Sequence, residues 1–353
     1  MDLNVTTASS TKEELLHYHK EMYTIRRMEI GCDTEYKARN IRGFCHLYDG
    51  QEAIAMGLQS ALTKDDSVIT SYRCHGIQYI RGGSVKSIVA ELFGFQQGCS
   101  KGKGGSMHLY SKKNKFWGGS GIVGAQVPVG VGVGFAEMYK MKMEKKNWPC
   151  NVSVSMYGDG AANQGQIWEV ANMAKLWNIP AIFVCENNQY GMGTAIHRSS
   201  SNPEYYKQGG VVIPGVQADG MDVLATREAF KVCKDFAGSG KGPIFLELKT
   251  YRYHGHSMSD PGITYRDRDE VANMRSSRDC IEQVKQRLID TGFSTEAELK
   301  EIEKGIRASV SAEIEEARKG NLPPTNLLHE DIFTEGPPKY IQFSDRTKSL
   351  KFA

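Results

Sequence analysis

GDGAANQGQIWEVANMAKLWNIPAIFVCENN, Gly158 to Asn188, is the stretch on which the fold turns. The apolar run Val152 to Tyr157 just before it reads as one short strand, and Ala181 to Cys185 within it reads as a second. Gly158-Asp159-Gly160 closes the first run and Asn187-Asn188 the second. Between them Ile167, Ala171 and Ala174 recur at helical spacing, with Trp168 and Met173 beside them. The unit is β-α-β, with an acid and an amide at the carboxyl ends of two parallel strands. Ligands of open α/β sheets bind outside that edge. A carboxylate, an amide oxygen and nearby main-chain carbonyls suit a hard cation such as Mg²⁺, which takes few protein ligands and completes its shell with phosphate oxygens. Asp159 and Asn188 therefore read as the grip on a diphosphate held through a metal. The rival reading, Asp159 as a plain helix N-cap, loses weight because Asn188 stands at the matching position on the next strand.

Outward from this unit the pattern keeps alternating. Thr11-Lys12-Glu13-Glu14 has capping-box spacing, and Leu15, Tyr18, Met22, Ile25, Met28 and Cys32 step by three and four, so one long helix is expected. Gln51 to Leu62 reads as a helix, Ser67 to Ser71 as a strand and Val85 to Phe95 as a helix. Residues 98–124 are dense in glycine, either a flexible loop or a place where backbone approaches a ligand closely. Gln126 to Met143 reads as a helix whose Gly130, Gly132 and Gly134 permit tight packing, because glycine otherwise weakens a helix by roughly 1 kcal/mol. A polar loop, Ser199 to Gly210, precedes a helix from Arg227 to Phe236 and a strand from Ile244 to Lys249. Two long helices follow, the second opening on Thr295 and Glu298 and stopping at Gly320. Such alternation implies an α/β fold with a doubly wound, mostly parallel sheet and long flanking helices at both ends. The expected division is a loose segment 1–10, a single α/β domain 11–335 with helices 267–320 packed on it, and a tail 336–353.

Bulk properties exclude several classes. The 353 residues are 40% hydrophobic with a formal charge of +3, and basic and acidic residues are interspersed, which argues against nucleic-acid binding. Eight cysteines without a CxxC pair suit reduced thiols in a reducing compartment. No apolar run has the length of a membrane span. The first twenty residues carry Asp2, Glu13 and Glu14 and no arginine, unlike an arginine-rich transit peptide, so no targeting segment is visible.

Six blocks in order carry a resemblance: RGFCHLYDGQEA (Arg42 to Ala53), GCSKGKGGSMH (Gly98 to His108), GIVGAQVP (Gly121 to Pro128), the GDG…NN run, YGMGT (Tyr190 to Thr194) and YRYHGHSMSDPG (Tyr251 to Gly262). Together they resemble the alpha subunits of the thiamine diphosphate-dependent 2-oxo acid dehydrogenases, and within them the pyruvate-acting, acetyl-transferring kind. The resemblance implies a thiamine diphosphate-binding α/β domain. It implies Mg²⁺ on Asp159, the Asn188 side chain and the Tyr190 carbonyl, with the diphosphate on Gly160, Ala161, Tyr72 and Arg73. Gly121 and Val123 would line the aminopyrimidine pocket, while His46 and His256 would face the thiazolium end as catalytic residues. The spacer Ser111 to Trp117 is longer than in the family, so no cofactor contact is carried over from it. Histidines this close in sequence also admit a zinc reading of His254, His256 and His46, weakened by the absence of HExxH or ligand-spaced cysteines. Ser257 matches an inhibitory phosphorylation serine, whereas the family's other two sites fall on Thr264 and Asn202.

The resemblance further implies a heterotetramer of two alpha and two beta subunits. The beta subunit would supply the glutamate that starts cofactor deprotonation, and this chain shows no motif for that role. A lipoyl-bearing acyltransferase core and a regulatory kinase and phosphatase would be further partners, with neither nucleic acid nor membrane. The expected compartment is the mitochondrial matrix after removal of a presequence, the alternatives being a plastid or a bacterial cytoplasm. Two functional rivals stand beside pyruvate dehydrogenation: a branched-chain 2-oxo acid or acetoin dehydrogenase alpha subunit, and a non-catalytic scaffold, which would be expected to lack Asp159, Asn188 or Arg73.

Overall fold

The computed structural model describes residues 7–325, 327 and 330–334, so residues 1–6 of the expected loose segment and the whole of the tail 336–353 lie outside it. Helix α1 (Lys12–Lys37) begins at the capping box read from the sequence: Thr11 accepts from the Glu14 N–H, and the Glu14 carboxylate accepts from the Thr11 N–H. Helix α2 (Glu52–Ala61), strand β1 (Ser67–Ile69), α3 (His75–Ile80) and α4 (Val85–Leu92) follow. At six residues, α3 is too short to show a period, and it was not expected. Helix α4 ends at Leu92 rather than Phe95 because Gly94 takes φ +76°, turning the Gly94 and Phe95 N–H groups back onto the Glu91 and Ala90 carbonyls.

Helix α5 (Gln126–Met143) runs over the expected residues. A Cβ on Gly130 would lie 2.1 Å from Ser155 Oγ and 2.6 Å from Ile69 Cγ2, and one on Gly134 would lie 3.0 Å from Ile179 Cγ2. These two glycines let the helix sit directly on the sheet. Gly132 differs: its Cβ would meet nothing within 4 Å, so packing within the chain does not explain it. Gly130→Ala should lower the thermal midpoint, because overpacking by 1–3 kcal/mol outweighs the roughly 1 kcal/mol gained in helix propensity. An unchanged or raised midpoint would show that α5 can shift off the sheet.

Strand β2 (Ser153–Gly158), helix α6 (Gly165–Leu176) and strand β3 (Ala181–Asn187) form the β-α-β unit. Ile167, Ala171 and Ala174 are buried, but Trp168 and Met173 are exposed on the other side of α6. A small hairpin of β4 (Tyr190–Gly191) and β5 (Thr194–Ala195) leads into the one-turn α7 (Ile196–Ser199). Next come β6 (Gly215–Asp219), α8 (Val223–Phe236) and β7 (Ile244–Lys249). Strand β6 escaped the sequence reading because it is a half-buried edge strand with no apolar alternation. The start of α8 is fixed by Asp222, whose side chain accepts from the Leu224 and Ala225 N–H groups, earlier than the expected Arg227. The carboxyl-terminal region holds three helices rather than two: α9 (Arg268–Arg278), α10 (Cys280–Asp290) and α11 (Glu296–Arg318). Asp279 takes extended backbone between α9 and α10 and caps α10, interrupting what reads as one periodic stretch. The Thr295/Glu298 capping box opens α11 as read.

The main sheet has the order β1-β2-β3-β7-β6, with every pair parallel. Alternate residues divide between two cores. Val154, Met156, Ile182, Val184, Leu246 and Leu248 face α1, α2 and α8, whereas Tyr157, Phe183, Cys185 and Phe245 face α5 and α6. Since a one-residue slip would send each set to the wrong face, burial on both sides fixes the register. Helices cover both faces, as a doubly wound sheet requires. All five strands therefore end at one edge, and the carboxyl tips of β2 and β3 lie side by side there, with Gly158 opposite Glu186.

Candidate cofactor site

Asp159 leaves the tip of β2 and is 1% exposed; its Oδ2 has no hydrogen-bond partner among the described residues. Burial pushes its carboxyl up to about 6, although Arg252, Arg73 and the Asn188 N–H pull the other way. It caps no long helix. A 3₁₀ turn, Ala161–Asn163, intervenes, and α6 starts only at Gly165 behind Gln164. Gly160 and Ala161 thus belong to that tight turn and not to the first turn of α6.

Asn188 is buried at the tip of β3. Its Nδ2 donates to Gln51 Oε1 at 3.0 Å, and its Oδ1 accepts from Arg252 Nη1 at 3.0 Å. The same Arg252 nitrogen donates to the Tyr190 carbonyl at 2.6 Å. The β4–β5 hairpin folds back over the acid: a Cβ on Gly191 would sit 3.2 Å from Gly160 Cα and 3.9 Å from Asp159 Oδ2. One carboxylate oxygen without a donor, an amide oxygen and a main-chain oxygen are thereby gathered at one strand edge, a donor set of the hard-cation kind.

Beside this lies a ring cluster. The His46 centroid is 4.3 Å from Tyr72 and 5.2 Å from His256, with Tyr72 and His256 5.3 Å apart. Burial, reinforced by the positive charge of Arg73, pushes His46 down to about 2 and His256 down to about 3. Well below the ordinary 6.5 of an imidazole, both rings are neutral in the folded chain, each offering one donor and one acceptor. Arg73 is buried and donates to the Leu47 carbonyl and, at 2.9 Å, to the His256 carbonyl, tying the strand-β1 side to the histidine loop. His254 turns elsewhere, with Nδ1 2.7 Å from Asp49 Oδ2, and among the described residues no metal-type cluster unites it with His46 and His256. The zinc reading therefore has no geometry behind it.

Gly121 lies next to His108 and Met107, while Ile122 and Val123, 72% and 42% exposed, project from the chain. Ser257 is buried, its Oγ 2.9 Å from Ser259 Oγ. All eight cysteines are free.

The sequence profile of the dehydrogenase E1 component family matches residues 20–325. The chain belongs to this family. Membership carries dependence on thiamine diphosphate and places this E1 chain among oxidoreductases. It is 54% identical over 337 residues to the mitochondrial pyruvate dehydrogenase E1 component subunit alpha of Saccharomyces cerevisiae, covering 95% of this chain and 77% of the yeast protein. Identity to the corresponding subunit of Sminthopsis macroura is 51% over 333 residues, covering 94% and 89%. For the alpha-1 subunit of Arabidopsis thaliana it is 51% over 330 residues, covering 94% and 82%.

Four residues that the sequence reading passed over surround the candidate site. Arg252 bridges Asn188, Tyr190, the Met192 carbonyl and the Tyr265 hydroxyl. Glu270 accepts from both the Tyr190 and Tyr251 hydroxyls. Gln51 and Glu186 stand behind Asn188. Arg252 and Gln51 both lie inside blocks quoted for the resemblance, so their position was in view but their role was not. Glu186 directly precedes Asn187-Asn188, a charged residue in an otherwise apolar strand, and that was the available signal.

Proposed function

We propose that this chain is the alpha subunit of a pyruvate dehydrogenase, which with a beta subunit decarboxylates pyruvate and transfers the acetyl group to a lipoyl carrier on an acyltransferase core. The observation that carries the reading is the buried Asp159 carboxylate, one oxygen of which lacks a donor among the described residues, beside the Asn188 and Tyr190 oxygens, in a chain that aligns along most of its length with pyruvate dehydrogenase alpha subunits.

Asp159, Asn188 and the Tyr190 carbonyl would hold Mg²⁺. Arg73, Tyr72 and the Gly160 and Ala161 amides would hold the diphosphate, while Gly121 and Val123 would support the aminopyrimidine. Thiamine diphosphate, when bound, supplies the electron sink for decarboxylation. The chain's part is to bind, orient and exclude water. Neutral His46 and His256 donate to and accept from groups at the reacting end without adding charge. The glutamate that begins cofactor deprotonation belongs to the beta subunit, so the isolated chain is inactive. Support for that partner comes from apolar surface: Ile122 and Val123 next to the site, Phe135 and Tyr139 on α5, and Leu176 and Trp177 at the end of α6, are all exposed. The Phe135 ring meets those of Tyr139 and Trp177, exposed apolar side chains grouped in this way suit an interaction site, and Gly132, open to solvent on α5, leaves room for a close approach.

The relatives are named mitochondrial, which supports the mitochondrial matrix, and no described helix is long and apolar enough to cross a membrane. Ser257 is the proposed target of a regulatory kinase and phosphatase. The substrate reading is checked by steady-state turnover of pyruvate against 3-methyl-2-oxobutanoate with the beta subunit present. Pyruvate should be favoured in kcat/KM by at least about tenfold, the discrimination that a few methyl groups allow. Preference for the branched acid would move the chain to the branched-chain dehydrogenases.

A further inference from the structure

Asn188 can serve a cation only if its amide oxygen, not its nitrogen, points into the site, and at the level of shape the two orientations are nearly equal. What decides between them is the chain of donors and acceptors behind the residue. Glu186, on β3, is buried; its Oε1 accepts from the Tyr48 hydroxyl at 2.8 Å and from Gln51 Nε2 at 3.3 Å. An ionised carboxylate accepts only, so Gln51 must turn its NH₂ toward Glu186. Its oxygen then faces Asn188, which must turn its own NH₂ toward Gln51, as observed at 3.0 Å. The Asn188 oxygen is left facing the strand edge, where Arg252 donates to it. A carboxylate at one end and a guanidinium at the other enforce the same orientation.

We propose that Gln51 and Glu186 are positioning residues that lock the Asn188 amide with its oxygen toward the cation site and thereby set the affinity for the divalent metal. The proposal rests on the reading of Asp159, Asn188 and Tyr190 as that site. Neither residue touches the cation. They act through Asn188, as residues behind metal ligands commonly do, with effects on affinity of about 10–100-fold. Gln51 sits at the N-cap of α2 without using its side chain there, which leaves both ends of its amide for this relay.

The test uses the assembled enzyme with its beta subunit, stripped of cofactor. Calorimetric titrations with thiamine diphosphate are run at stepped MgCl₂ concentrations at pH 8. Gln51→Met, similar in length but without donor or acceptor, should raise the Mg²⁺ concentration for half-maximal binding about tenfold or more. Glu186→Gln should raise it less, because an amide can satisfy either orientation of Gln51. The exchanged pair, Gln51→Glu with Glu186→Gln, restores every match: the carboxylate accepts from Asn188 and from the new amide, whose oxygen accepts from Tyr48. It should return the Mg²⁺ midpoint to near wild type. Thermal midpoints of the cofactor-free tetramers separate a packing role, which would lower stability without this reversal. An Mg²⁺ midpoint unmoved by Gln51→Met, or moved and not restored by the exchange, overturns the proposal. Wild-type binding of thiamine diphosphate in the presence of a chelator is a different result: it removes the metal site itself.

Discussion

Asp159→Asn should weaken Mg²⁺-dependent binding of thiamine diphosphate by about a hundredfold or more and, at the same time, stabilise the cofactor-free chain. Both effects come from one fact: a carboxylate 1% exposed, with one oxygen lacking a donor among the described residues. Burial raises its pKa from an ordinary 3.8 to about 6. For an acid raised on folding, stability is greatest below the unfolded value and is lost as pH rises through the window from 3.8 to 6. Above pH 6 the folded chain carries the full penalty, up to about 3 kcal/mol at roughly 1.4 kcal/mol per unit. Asparagine has the same shape and no charge, so at pH 7 the variant should unfold at a higher temperature in the absence of metal. Its affinity for Mg²⁺ with thiamine diphosphate should fall by about a hundredfold or more, since loss of a ligand exceeds the loss of a residue behind one. In the wild type, cation binding requires the ionised form, so affinity should climb about tenfold per pH unit up to about 6 and then level off. Calorimetric titration and thermal unfolding of both proteins between pH 5 and 8 decide the matter. Retained cofactor affinity in Asp159→Asn would return the chain to the scaffold reading, and an unchanged metal-free midpoint would show that the buried charge is already compensated.

The same site shows what one sequence can and cannot disclose. β-α-β periodicity and the GDG and NN signatures were readable because each is local: a strand, a turn and a helix in one run. The Thr11 and Thr295 capping boxes were equally local and appear at the stated residues. Strand β6 was not readable, because an edge strand half in solvent has no burial pattern to reveal it. The neutral state of His46 and His256 was not readable either. It arises from burial and from Arg73, which lies far along the chain from His256 and meets it only through folding. Arg252 and Glu186 belong to the same class. Arg252 meets Asn188 directly and Glu186 reaches it through Gln51, by contacts between distant parts of the chain that no spacing rule encodes.

Ser257→Glu should suppress turnover by about a hundredfold, roughly 2.7 kcal/mol, while leaving assembly with the beta subunit intact. Ser257 is 6% exposed, and its hydroxyl meets Ser259. The backbone around it is pinned on both sides: the Met258 N–H donates to the Cys45 carbonyl at 2.8 Å, and the His256 carbonyl accepts from Arg73 at 2.9 Å. A carboxylate placed here must either stay buried without a partner, which costs several kcal/mol, or swing outward. The nearest room is a cavity of about 440 Å³ that Ser257 shares with Arg266, Arg268 and Arg275. Arg266 is already committed to the Arg252, Tyr253 and His254 carbonyls, so accommodating the charge there pulls on the segment that carries Arg252 and His256. Swinging outward strains the contacts to Cys45 and Arg73 instead. Either route moves His256 and Arg73 together, the two groups proposed to face the thiazolium end and the diphosphate, and adds negative charge where an anionic 2-oxo acid must enter. None of these contacts lies on the exposed α5–α6 face, which is why assembly should survive. Ser257→Ala, which removes only the hydroxyl pair, should keep activity near wild type. Turnover of pyruvate and size-exclusion profiles of the two variants give the answer. A fully active Ser257→Glu enzyme would sink the regulatory assignment, and a variant that no longer assembles would show that the loop supports the subunit interface rather than the site.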